Sequence, residues 1–134
     1  MEESVLYMPV NAEWFKLIKS GVKRVEYREI KAHWIARLFL FVKIWPDGKT
    51  ESHRICKQIA MKYEKDINSI KIDIENGKLI PRYSQVEFSE GYPKKDDEER
   101  RARYKLVSIT IDYPKKSLCP DEFLNNEYLN INFE

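Results

Sequence analysis

Lys23, Arg24, Glu26 and Arg28 crowd into one short stretch, Gly21-Val22-Lys23-Arg24-Val25-Glu26-Tyr27-Arg28. Apolar Val25 and Tyr27 alternate with the charged residues, so a strand over 24–29 puts the apolar pair on one face and Arg24, Glu26 and Arg28 on the other. A carboxylate between cations is favoured in its ionised form, which makes it an orienting acceptor rather than a strong general base. Its natural partner is a ligand donor such as the exocyclic amine or ring N–H of a nucleobase, while lysine and arginine neutralise phosphate or reach carbonyl oxygens. The bland alternative is an ion-pair ladder on a solvated strand, which contributes little. Arg24 and Lys31 are nearby phosphate contacts on the first reading. Tyr92, which follows Gly91 in a turn, is the candidate for stacking on an unpaired base.

Such a strand needs an element to aim it. Asn11 to Ser20 supplies an N-cap residue, Glu13 in the first turn, apolar Trp14, Phe15 and Ile18 at helical spacing and Lys19 near the end, and Gly21 stops the run. A short amphipathic helix thus feeds the charged strand directly.

This order of helix, Gly-x-Lys-x-x-Glu-x-Arg and strand resembles the ASCH domain family of the PUA-like superfamily. Further pieces follow in the family's order: Trp14 before the glycine, the run Glu-Ile-Lys-x-x-Trp-x-x-Arg-Leu from Glu29 to Leu38, and a hydrophobic strand ending in Gly91-Tyr92. The matching segments are 4–38 and 83–113, while 45–80 has no counterpart and reads as a family-atypical insertion on the barrel's outside. The resemblance implies an α+β fold, a small mixed β-barrel (PUA-like) with flanking helices. It also implies a cleft for RNA or a nucleotide-like ligand.

Some ASCH relatives remove the acetyl group from acetylated cytidine, using the lysine of this motif, a threonine three residues later and a distal glutamate. Here Lys23 keeps the lysine, Glu26 stands in the threonine position, and no residue matches the distal glutamate. A carboxylate cannot supply a hydroxyl's proton relay, and an ammonium beside it is held in its charged form. The expectation is therefore an RNA- or nucleotide-binding module and not an enzyme. The alternative is an amidohydrolase on acetylated cytidine, with Lys23 and Glu26 as the candidate catalytic residues. A second alternative is an adaptor that docks a protein partner through 51–80.

Length and composition set the outer bounds. The 134 residues suit one domain over 1–134, and 43% hydrophobic with 13% aromatic residues suffice for one core. Lysine and arginine (24) nearly cancel aspartate and glutamate (22), so a nucleic-acid footprint must come from local clustering. Cys56 and Cys119 lack Cys-x-x-Cys spacing and read as reduced thiols of a cytoplasmic protein, with no zinc site and no cofactor expected. Isolated His33 and His53 join no catalytic constellation and read as surface or boundary residues. The acidic start Met1-Glu2-Glu3-Ser4 does not resemble a signal peptide. The apolar run from Trp34 to Trp45 is interrupted by Arg37 and Lys43 and falls short of the roughly 20 residues of a membrane span.

Along the chain, Val5 to Val10 reads as a buried opening strand whose Pro9 places it near an edge. Ile30 to Leu40 reads as helix, and 41–45 fits helix or strand equally. Pro46-Asp47-Gly48-Lys49 is a turn. Glu51 to Glu64 fits a helix. Asp66 to Glu75 fits a second helix, although Ile70 to Ile74 also alternates like a strand, and Asn76-Gly77 breaks the chain. Tyr83 to Phe88, Tyr104 to Tyr113 and Tyr128 to Phe133 read as strands. Between the first two lies the charge run Lys94 to Arg103, whose i,i+4 pairs Asp96/Arg100, Asp97/Arg101 and Glu99/Arg103 support an exposed helical turn, with a solvated loop as the bland reading. Five or six strands result. Trp14, Trp34 and Phe88 lie on apolar stripes and read as core.

Overall fold

A computed structural model describes residues 4–134, so the reading of the chain's acidic start lies outside the described residues but for Ser4. In chain order the strands are β1 (Val5–Val10), β2 (Val25–Arg28), β3 (Phe39–Ile44), β4 (Thr50–Arg54), β5 (Leu79–Pro81), β6 (Gln85–Glu90), β7 (Arg101–Asp112) and β8 (Tyr128–Phe133). The α-helices are α1 (Ala12–Lys19), α2 (Ala32–Leu38), α3 (Lys57–Glu64) and α4 (Ile67–Glu75). The fold is α+β. Five strands form one sheet in the order β1-β6-β7-β8-β2, and three form a second in the order β4-β3-β5.

The expected barrel does not close. β1 and β2 are the two edges of the larger sheet, and no ladder joins them. Pro9 has no N–H to offer a neighbouring strand, and its carbonyl is taken by Arg28 Nη2 at 3.3 Å. A side chain therefore stands where strand pairing would have sealed the sheet, and the open seam is where the candidate site lies.

α1 and β2 follow the sequence closely. Phe15 and Ile18 are buried, and Asn11 occupies the N-cap position with its carbonyl, not its side chain, accepting from Phe15 N at 2.9 Å. Gly21 takes φ +86°, the left-handed conformation that suits glycine after a helix. The Lys23 N–H then bonds back to Leu17 O at 3.0 Å, which ties this residue to the end of α1.

Several expectations need correction. Helix α2 ends at Leu38, so 39–44 is strand and the run to Leu40 is not helical throughout. Glu51 to Arg54 is strand rather than helix. The Pro46 to Lys49 turn closes a hairpin through Trp45 N to Lys49 O at 2.8 Å, and β3 then sets β4's register from Ile44↔Thr50 to Leu40↔Arg54. The hairpin claims 51–54, and helix begins only at Lys57. Asp66 to Glu75 settles as helix because the Asp66 carboxylate caps it, accepting from Ser69 N at 3.2 Å.

Strand β7 exposes Val107 and buries both Leu106 and Ile109, so its side chains do not alternate simply between the two faces. A register shift between Leu106 and Ser108 inserts one residue against β8 and flips the phase of every side chain beyond it. The charge run forms none of its expected i,i+4 pairs. Arg101 and Arg103 sit on β7 and reach across the sheet to Glu87 at 3.7 and 3.0 Å, while Asp97 pairs with Arg100 at 3.5 Å.

The principal core joins both sheets. Leu6, Met8, Val86, Phe88, Leu129 and Ile131 meet Ile35 and Leu38 of α2. Ile55, Ala60, Ile70 and Leu79, from the segment expected to lie outside, belong to the same cluster. A smaller cluster of Val25, Tyr27, Cys119 and Tyr128 covers the other face of β2. Among the described residues no helix is long and apolar enough to cross a membrane.

Candidate functional site

β2 carries Glu26 into the seam. Val25 and Tyr27 do turn to one side, but Glu26 is only 5% exposed on the other, so this is no solvated ladder. Three groups hold its carboxylate: Lys23 Nζ donates to Oε1 at 3.1 Å, Tyr27 N donates to Oε1 at 2.9 Å, and Arg28 Nη1 lies 3.1 Å from Oε2. A carboxylate oxygen accepts about two hydrogen bonds, so Oε1 is full and Oε2 keeps one acceptor position.

Lys23 is the more unusual member, at 1% exposed. Lysine is almost never fully buried unless paired, and here the i,i+3 carboxylate is its one ion-pair partner among the described residues. The ammonium also lies 4.6 Å from the Trp14 ring centroid and 5.6 Å from that of Tyr27. Both rings offer the negative π face that stabilises a desolvated cation. Arg28 is pinned by Tyr27 O at 2.9 Å and Pro9 O at 3.3 Å, and its guanidinium packs 5.3 Å from the Trp34 centroid.

These groups line a cleft of about 490 Å³ between β1 and β2, with Trp14 and Trp34 in its wall and Pro120 and Phe123 in the loop before β8. That volume lies within the roughly 300–1,000 Å³ of small-molecule sites. Burying an ion pair is seldom a route to stability. A buried carboxylate with a spare acceptor, between two cations and beside two indoles, is the kind of arrangement that orients a polar, planar ligand.

Of the expected site residues, Lys23, Glu26 and Arg28 converge here, and exposed Lys31 lines the cleft as well. Arg24 does not. Its guanidinium packs 5.7 Å from the Tyr104 ring, and it borders a separate depression beyond Tyr27. Tyr92 is exposed as expected but lines a neighbouring depression, not this cleft. Trp14 and Trp34, expected in the core, are half-buried cleft residues, whereas Phe88 is core. Each indole sits at the border of an apolar stripe, where an amphipathic ring commonly stays partly wet. That border position was the signal for them; Phe123, in a stretch with no pattern, gave none.

Two further groups bear on chemistry. Cys119 lines the cleft, but burial pushes its thiol up, and Sγ donates to Lys115 O at 3.6 Å, so it is no ready nucleophile. Burial likewise pushes the Tyr27 hydroxyl up, and its oxygen accepts from Lys115 N at 3.1 Å. Among the described residues no group of three or more His, Cys, Asp or Glu is placed to hold a metal ion. Comparison with family models, with curated proteins and with solved structures finds no match to the chain.

Proposed function

We propose that the seam cleft binds a nucleobase, as a nucleotide or as part of RNA, in the manner of an ASCH-type module. The observation that carries this reading is the Lys23–Glu26–Arg28 array, nearly buried at a cleft flanked by Trp14 and Trp34. The remaining acceptor position on Glu26 Oε2 takes an exocyclic amine or ring N–H. The hydrogens of Lys23 not used by Glu26 reach a base carbonyl, and exposed Lys31 meets phosphate. The indoles supply apolar faces for the planar ring. The sequence resemblance to the ASCH family points to the same ligand class.

The test is a titration of nucleoside monophosphates and short single-stranded RNA, followed by tryptophan fluorescence at low and high salt. Affinity for RNA should fall with salt, and Lys31→Ala should reduce the log–log slope by about 0.7 for each phosphate that the lysine neutralises. Lys23→Ala and Arg28→Ala should each weaken binding, with circular dichroism reporting that the fold survives. Unchanged RNA affinity in both folded variants at low salt would refute the site.

A further inference from the structure

We propose that the cleft is the first of two adjoining stations for single-stranded RNA, the second being a shelf formed by Tyr7, Tyr92 and Arg37. This rests on the nucleobase reading of the cleft and extends it from one base to a strand.

The sheet's pleat builds the shelf. Leu6, Met8, Val86 and Phe88 turn inward and are fully buried, which sends their neighbours outward. Pairing sets Tyr7 beside Glu87 and Pro9 beside Ser89, and then Glu87 beside Arg103 and Ser89 beside Arg101. Onto this outer face the Gly91 turn projects Tyr92, 93% exposed, over a depression of about 510 Å³ that Tyr7, itself 54% exposed, also lines. Two tyrosines thus stay in solvent around one hollow.

The hollow is continuous with the cleft. Pro9 is a wall of both. Trp34 links them too, since Arg28 of the cleft and Arg37 of the shelf each lie 5.3 Å from its ring centroid. The charges suit a phosphodiester chain. Glu87, the shelf's acid, is engaged by Arg103 and Arg101, whereas Arg37 pairs with no carboxylate among the described residues. Arg101 Nη2 also donates to Pro93 O at 3.2 Å and Lys94 O at 3.1 Å, which anchors the segment following Tyr92.

The edge of β1 argues against a peptide as occupant. Strand addition needs free backbone groups along an edge. Here Tyr7 O accepts from Arg37 Nη2 at 3.0 Å, Pro9 O accepts from Arg28, and Pro9 has no N–H. What stays open is aromatic faces beside a guanidinium that no carboxylate neutralises among the described residues, the recognition set for unpaired bases on a single strand.

The experiment compares a fluorescein-labelled mixed-sequence hexaribonucleotide, by anisotropy, with the four nucleoside monophosphates, by tryptophan fluorescence, on wild type, Tyr92→Ala, Tyr7→Ala and Arg37→Gln. The hexamer should bind more tightly than any monophosphate. Tyr92→Ala or Tyr7→Ala should weaken it roughly five- to hundredfold, as for the loss of one base–aromatic stack, with monophosphate affinity unchanged. A hexamer that binds no tighter than a monophosphate, or that is indifferent to all three substitutions, overturns the shelf and spares the cleft. If wild type binds neither ligand, the cleft reading falls and this one with it.

Discussion

Replacing Glu26 by glutamine keeps the side chain's shape and deletes its charge, which isolates the contribution of the buried array. Lys23 Nζ, 3.1 Å from Oε1, would then face a neutral amide. At that separation and an effective dielectric of about 20, the attraction removed is about 5 kcal/mol. Water returns little of it, because Lys23 is 1% exposed. Breaking one side of a buried pair costs roughly 3–5 kcal/mol, and Glu26→Gln should fall near the lower end, since the amide oxygen still accepts a hydrogen bond. Lys23→Met should cost less, roughly 1–2 kcal/mol. The carboxylate it leaves behind retains Arg28 at 3.1 Å and the Tyr27 N–H at 2.9 Å. The double variant should cost less than the two single costs added, by at least about 1 kcal/mol. Urea unfolding at neutral pH, followed by circular dichroism, measures all three. A Lys23→Met cost equal to that of Glu26→Gln, or additive effects in the double variant, would refute a buried Lys23–Glu26 coupling of this size.

Alkaline stability should turn on Tyr63, whose hydroxyl is pushed up first by burial and then by donating to Asp73 Oδ2 at 2.5 Å. A raised folded-state value means that this stability is present below the unfolded tyrosine value of about pH 10 and is lost as pH rises above it. Tyr63→Phe should therefore flatten the decline of unfolding free energy above about pH 10; equal slopes in the two proteins would sink the assignment. Gly21→Ala places a Cβ on a residue at φ +86° and 3.4 Å from Arg24 Nη2, so it should destabilise by roughly 1–2 kcal/mol in the same urea assay. Incubation with acetylated cytidine should yield neither cytidine nor acetate, because the Lys23 ammonium is engaged by Glu26 and the Cys119 thiol is pushed up by burial. Turnover abolished by Lys23→Ala would overturn that expectation, and a gain of activity in Glu26→Thr would show a cleft that has lost only its chemistry.

The α1–Gly21–β2 unit is legible in the sequence because its causes are local. A helix stripe, a stop and a positive-φ glycine are all decided within one or two turns of chain, and they deliver Lys23, Glu26 and Arg28 together. The same holds for the capped helix α4, once Asp66 is read as its cap. Other features depend on pairing between distant segments. Residues 51–54 precede an apolar stripe that begins at Ile55 and is compatible with helix, yet the hairpin with β3 makes them strand, and the β7 bulge inverts which of its residues are buried. Arg24 lies one residue from Lys23 and yet leaves the cleft, because successive positions leaving a helix end point to different surfaces. Trp14 and Trp34 become cleft walls only because β1 and β2 remain unpaired edges, and that follows from Pro9's missing N–H and the Arg28 guanidinium seated on its carbonyl. The sequence by itself determined the charged array and the helix that aims it. Tertiary structure decided that the array is buried, since burial depends on which distant strands pair and which seam stays open.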